Sequence, residues 1–163
     1  MNEEEKTRDT TMKDRHGKPI TVLMADDDPD DRVLTKEAWV ENHLANDLHF
    51  VEDGEELMDY LHRRGQYASL IDAPLPGLIL LDLNMPRKDG RDALKEIKSD
   101  PRLQRIPIVV LTTSKAEEDI LRTYNLGVNS FITKPVTFEA LVGIVRTLAQ
   151  YWFEIVALPP NID

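Results

Sequence analysis

The chain has 163 residues, 41% of them hydrophobic, with a formal net charge of −10 and a pI near 4.9. That length suits one domain with a full core, and the acidic balance excludes wrapping of nucleic acid or binding to an anionic membrane. There is no cysteine, which excludes a disulfide framework and any thiolate metal site.

Residues 1–18 are polar and carry no hydrophobic periodicity, so a mobile N-terminal arm is expected there. The start, Met1-Asn2-Glu3-Glu4-Glu5-Lys6, is acidic and is followed by no apolar stretch of the signal-peptide kind. No apolar run approaches the roughly 18 residues of a membrane span. A cytoplasmic location is the expectation, with no nucleic acid and no membrane among the partners. The globular part is expected over 19–150, and 151–163 as a helix extension with a short tail.

Residues 20–25 read as a short apolar strand ending in Asp26-Asp27-Asp28. Pro29 then opens a helix at its first turn, where a missing N–H does no harm, with Val33, Leu34, Ala38 and Trp39 as its inward face. Residues 48–51 form a second strand, and Asp53-Gly54 starts a second helix carrying Leu57, Met58, Tyr60 and Leu61. A long loop is expected over 63–77. The run Leu78-Ile79-Leu80-Leu81-Asp82 is the third strand. The helix bearing Ala93, Leu94 and Ile97 should stop near Asp100-Pro101, since a residue before proline avoids the helical region. Strand four spans 108–112, a helix follows from Glu117 to Tyr124 with Gly127 as its C-terminal cap, and 130–132 is strand five. The last helix is expected from Phe138 to about Ala157.

Five β-α repeats whose central strands are continuous aliphatic runs mean a parallel sheet buried on both faces, hence an α/β fold with helices on each side. Ligands of such sheets bind at the carboxyl ends of the strands. Those ends carry Asp26 and Asp27, Asp82 with Asn84 two residues on, Thr112, and Lys134-Pro135. Three carboxylates with no thiol or histidine nearby make a hard oxygen site suited to Mg²⁺. A hydroxyl and an ammonium at the same edge suit phosphoryl oxygens, and an aspartate can serve as the nucleophile by forming an aspartyl-phosphate.

At these residues the chain resembles the response-regulator receiver domain of two-component signalling. The matching segments are Asp26-Asp27, Leu81-Asp82-Leu83-Asn84-Met85-Pro86-Arg87-Lys88-Asp89-Gly90, Thr112 and Lys134-Pro135, and the similarity runs from about 20 to 150. The resemblance implies a flavodoxin-like, doubly wound (βα)5 fold of strand order 2-1-3-4-5. It implies that Asp82 accepts a phosphoryl group from a sensor histidine kinase. Asp27 would hold Mg²⁺ directly, Asp26 through water, and the carbonyl of Asn84 would be a further ligand. Thr112 and Lys134 would hold phosphoryl oxygens, Phe131 would be the switch aromatic, and the Lys134-Pro135 bond would be cis. A finer resemblance, on the 63–77 loop, Leu111-Thr112-Thr113-Ser114 and the tail from Tyr151 to Pro159, is to the small receivers that serve bacterial phytochromes. It implies a phytochrome as the kinase. Because only a short proline-containing end follows residue 158, no output domain is expected, and signalling through protein contacts or phosphorelay is.

The same residues admit other readings. An isolated Asp26-Asp27-Asp28 is more often a helix cap cluster, and Asp28 is the member best suited to that role. Asp26, Asp28, Asp30 and Glu37 fit the 1, 3, 5 and 12 spacing of a calcium loop, but Asp31 stands where glycine is needed and Pro29 starts a helix inside the run. A haloacid-dehalogenase-like phosphatase would want an Asp where Asn84 stands. A P-loop kinase lacks its glycine-rich motif. A non-phosphorylated adaptor of the same fold is the remaining alternative; the expected role is a phosphoacceptor that catalyses only its own phosphorylation and dephosphorylation. The last helix carries Phe138, Leu141, Val142, Val145, Leu148, Trp152, Ile155 and Val156 at helical spacing. Its second half is expected to be exposed and to form a homodimer.

Overall fold

The structure is a computed structural model that describes residues 19–152. The expected arm at 1–18 and the tail at 153–163, with Ile155 and Val156, lie outside the described residues. The elements run β1 (Val22–Ala25), α1 (Pro29–Glu41), β2 (Leu48–Val51), α2 (Gly54–His62), β3 (Leu78–Leu81), α3 (Gly90–Ser99), β4 (Ile108–Thr112), α4 (Glu117–Asn125), β5 (Ser130–Thr133) and α5 (Phe138–Gln150). All strand pairs are parallel, in the order β2-β1-β3-β4-β5. The fold is the expected doubly wound one.

Side chains alternate across a strand with period two, and here both sets are buried. Leu23 and Ala25 of β1, with Ile79 and Leu81 of β3, meet Leu57, Leu61, Leu94 and Ile97 from α2 and α3. Val22 and Met24, with Leu78 and Leu80, meet Ala38, Trp39, Val142 and Val145 from α1 and α5. Two apolar cores, one per face, explain why the strands read as unbroken aliphatic runs.

Helix starts follow local chemistry. Asp28 caps α1 by accepting the N–H of Asp30 at 2.9 Å, with Pro29 at the first helical position. Asp53 caps α2 through the N–H of Glu56 at 2.8 Å, and Thr137 caps α5 through Ala140. Gly127, at φ +97, takes the left-handed turn that ends α4, as its sequence position implied.

Three expectations are corrected. The 63–77 segment is not wholly loop: Gly65–Leu70 form a 3-10 helix. Tyr67 stacks edge-on against Tyr60 at 5.0 Å, and the guanidinium of Arg63 donates to the carbonyls of Tyr60 (2.8 Å) and Pro74 (2.9 Å), which draws the segment onto α2. Periodicity cannot signal so short a helix.

The second half of the last helix is not an exposed apolar stripe over its described residues. Leu148, Ala149 and Trp152 are buried in the core beneath α1 and α5, and Tyr151 is the large apolar side chain left outside. Up to Trp152, the apolar arc seen in the sequence is covered by the sheet.

There is no cis peptide bond among the described residues, so Lys134-Pro135 is trans. The strand end itself aims the lysine, because the N–H of Lys134 is bonded to the carbonyl of Thr112 at 2.8 Å.

Candidate functional site

Strand register assembles the site. Ala25 of β1 lies beside Leu81 of β3, so Asp26 and Asp82 leave neighbouring strands side by side. The N–H of Asp82 donates to the carbonyl of Ala25 and that of Asp26 to Val51, each at 3.0 Å, which extends the sheet by one residue at both acids. Thr112 closes β4 beside Thr133 of β5, and Lys134 follows at once. This edge is where strand order reverses between β1 and β3, the place α/β sheets present ligand-binding groups.

Asp26 and Thr112 are fully buried, Asp82 is 5% exposed, and Asp27 faces solvent. Carboxylate oxygens of Asp26, Asp27 and Asp82 all lie within 4.8 Å of one another. The hydroxyl of Thr112 donates to Oδ1 of Asp82 at 2.8 Å, and the N–H of Asn84 reaches the same oxygen at 3.1 Å. Oδ2 of Asp82 takes the ammonium of Lys134 at 3.0 Å. Buried carboxylates are costly without such partners.

Lys134 is a shared cation. Its Nζ lies 2.6 Å from Oδ2 of Asp31, 2.7 Å from Oδ2 of Asp26 and 3.0 Å from Oδ2 of Asp82. The approach to Asp26 is ionic rather than a well-aligned hydrogen bond. Burial alone would lower the lysine's pKa, but the carboxylates of Asp26 and Asp31 beside it outweigh that and hold the ammonium above its ordinary value. Asp26 is pushed the other way for a carboxylate: burial raises it to about 6, against the opposing pull of Lys134 and the N–H of Asp28.

Close backbone approach fixes the loop after β3. A Cβ on Gly90 would stand 2.3 Å from the carbonyl oxygen of Asp82, and one on Gly54 would stand 2.1 Å from that of Lys88. Only glycine lets α3 and α2 start this near the acid site.

The structure therefore brings together Asp26, Asp27, Asp82, Thr112 and Lys134 as the sequence implied, with Asn84 adjacent through its backbone. Phe131 lies half-buried on β5 against the core of α2 and α3, and its N–H donates to the hydroxyl of Tyr124 at 3.1 Å. The calcium-loop residues do not converge: Asp28 caps α1, and among the described residues the acidic cluster is Asp26, Asp27 and Asp82. Sequence reasoning missed Asp31, Arg32 and Arg91. Arg32 holds the carbonyl of Asp26 at 2.8 Å, while Arg91 approaches Asn84 at 3.4 Å. Asp31 reads in the sequence as one more first-turn acid, with no signal of its own.

The donor set fits a divalent cation: three carboxylates, hard oxygens only, set against one lysine. The set also fits phosphoryl chemistry, because a buried aspartate is flanked by a hydroxyl and an ammonium.

A family model described as the response regulator receiver domain matches residues 22–146. Response regulator Rcp1 of Synechocystis is 40% identical over 148 residues, covering 91% of this chain and 99% of that protein. The crystal structure of the phosphorylated cyanobacterial phytochrome response regulator RcpA superposes with a TM-score of 0.79 at 43% identity, covering 86% of this chain and 99% of that one. The Mn²⁺-bound form of Rcp1 superposes with a TM-score of 0.78 at 40% identity, covering 87% of this chain and 100% of that one.

Proposed function

The chain belongs to the response regulator receiver domain family, and from that premise we propose that Asp82 accepts a phosphoryl group from the phosphohistidine of a sensor histidine kinase. The observation that carries the proposal is the strand register that sets Asp82 between Thr112 and Lys134, beside Asp26 and Asp27.

One carboxylate oxygen of Asp82 forms a bond to phosphorus as the phosphorus–nitrogen bond of the donor breaks. The imidazole leaves with that electron pair and takes a proton from solvent. The Thr112 hydroxyl, which donates to Asp82 beforehand, becomes free to donate to a phosphoryl oxygen. Lys134 places its charge against the same group. Asp27, Asp82 and the carbonyl of Asn84, with Asp26 through water, would hold Mg²⁺, which when bound would neutralise phosphoryl charge. Hydrolysis of the aspartyl-phosphate returns the carboxylate, so the chain turns over no substrate but itself. Asn84 supplies no second carboxyl of the kind a dehalogenase-like phosphatase uses as its acid and base.

A phytochrome as the kinase is supported by the likeness to RcpA, a cyanobacterial phytochrome response regulator. Phe131 reports the change at Thr112 to the surface of β5. Transfer then proceeds through protein contacts or onward phosphorelay in the cytoplasm. No helix of the described residues is long and apolar enough to cross a membrane. A homodimer through the last helix would draw on Tyr151, which is exposed; a monomeric mass by light scattering, with and without phosphorylation, counts against it.

Incubation with acetyl phosphate and Mg²⁺, followed by intact-protein mass spectrometry, tests the central step. A gain of about 80 Da, one phosphoryl group, should appear in wild type and vanish in Asp82→Asn. No adduct at any Mg²⁺ concentration sinks the proposal.

A further inference from the structure

Asp31 makes the shortest contact to the lysine of the site, 2.6 Å, across 103 positions of sequence. It belongs to none of the roles above, and it stands apart from the cluster of Asp26, Asp27 and Asp82. An acid in the first turn of a helix is ordinarily a macrodipole partner. Asp30 already fills that position on α1, and the Asp28 side chain takes the Asp30 N–H. The carboxylate of Asp31, 32% exposed, is instead turned to Nζ of Lys134, whose side chain is only 10% exposed.

We propose that Asp31 is a positioning residue for Lys134, drawing the ammonium toward α1 so that Asp26 and Asp82 can exchange it for a divalent cation. An ammonium has three donors, and three carboxylates surround this one. Two of those three, Asp26 and Asp82, have oxygens in the cation-binding cluster; Asp31 does not. When Asp26 and Asp82 turn to a cation, Asp31 is the partner left to Lys134. It keeps that buried charge paired and keeps it out of the cation's place. Without Asp31 the ammonium settles on Asp26 and Asp82 and competes with the cation directly.

This inference rests on the cation-binding part of the proposed function, not on phosphoryl transfer itself. The test is a Mn²⁺ titration of the full chain, with free Mn²⁺ counted by electron paramagnetic resonance. Asp31→Asn and Asp31→Ser should each weaken binding by about three- to tenfold, the scale of the net contribution of one ordinary hydrogen bond. Asp31→Glu should recover most of it. In a Lys134→Gln background the Asp31→Asn loss should largely disappear, since the residue acts through the lysine. Unchanged affinity in Asp31→Asn overturns the proposal. So does an equal loss with and without Lys134, which would mean a general effect of charge. A wild type that binds no Mn²⁺ removes the cation site as well, while the acetyl phosphate adduct on Asp82 decides the phosphoacceptor role separately.

Discussion

The guanidinium of Arg91 grips the carboxylate of Asp119 through two hydrogen bonds of 2.6 Å, Nε to Oδ1 and Nη2 to Oδ2. The pair ties the first turn of α3 to the first turn of α4. The same carboxylate accepts the hydroxyl of Ser114 at 2.6 Å, and the N–H of Ser114 reaches Oγ1 of Thr112 at 3.4 Å. The clasp therefore stands one residue away from the hydroxyl that touches Asp82.

Arg91 holds the carboxyl of Asp119 down to about 2 against the upward pull of burial, with Ser114 adding to the lowering. A lowered carboxylate stabilises the fold above its unfolded value, 3.8, and loses that contribution as pH falls toward about 2. The stability gap between wild type and Asp119→Asn should be about 1 kcal/mol at neutral pH and close on acidification below about pH 4. Carbon-detected NMR of the Asp119 carboxyl should show no titration down to about pH 3 in wild type, and an ordinary carboxylate midpoint in Arg91→Gln.

Asp26 has the opposite sign. Its folded value, about 6, lies above 3.8, so the native state binds the extra proton between them. The stabilisation is complete below 3.8 and is lost as pH rises through about 6. In chelator, Asp26→Asn should be more stable than wild type at pH 7.5 by about 2 kcal/mol, with the difference vanishing near pH 4. Urea unfolding at the two pH values measures it; a wild type equally stable relative to the variant at both would contradict the burial argument.

Gly90→Ala should damage both fold and site. Its Cβ would stand 2.3 Å from the carbonyl oxygen of Asp82 and 2.7 Å from Cα of Leu83, backbone atoms that cannot swing aside. A loss of about 2–3 kcal/mol in urea unfolding is expected, together with slower acetyl phosphate labelling of Asp82.

Trp152→Ala should act as a core truncation. The indole is 2% exposed, so removing it should lower stability by about 3–4 kcal/mol. A variant of wild-type stability whose only change is in oligomeric state would return Trp152 to an interface role.

Much of the site was legible before folding because its signal is local. A strand of four apolar residues announces itself, and the residue after it must lie at the sheet edge. Asp26, Asp82, Thr112 and Lys134 were all found that way. The caps Asp28 and Asp53 were legible for the same reason, since a cap bonds within three residues of itself.

What the sequence by itself determined is which chemical groups stand at the ends of the parallel strands, because alternation and burial act over neighbouring residues. Only the tertiary structure decided which of those groups touch. The Asp31–Lys134 contact joins residues 103 positions apart, and the Arg91–Asp119 clasp joins residues 28 apart. Each depends on how a helix is rotated against the sheet. The same holds for Trp152: an apolar arc on a helix shows that something must cover it, and only the packed sheet shows that the cover is the chain's own core.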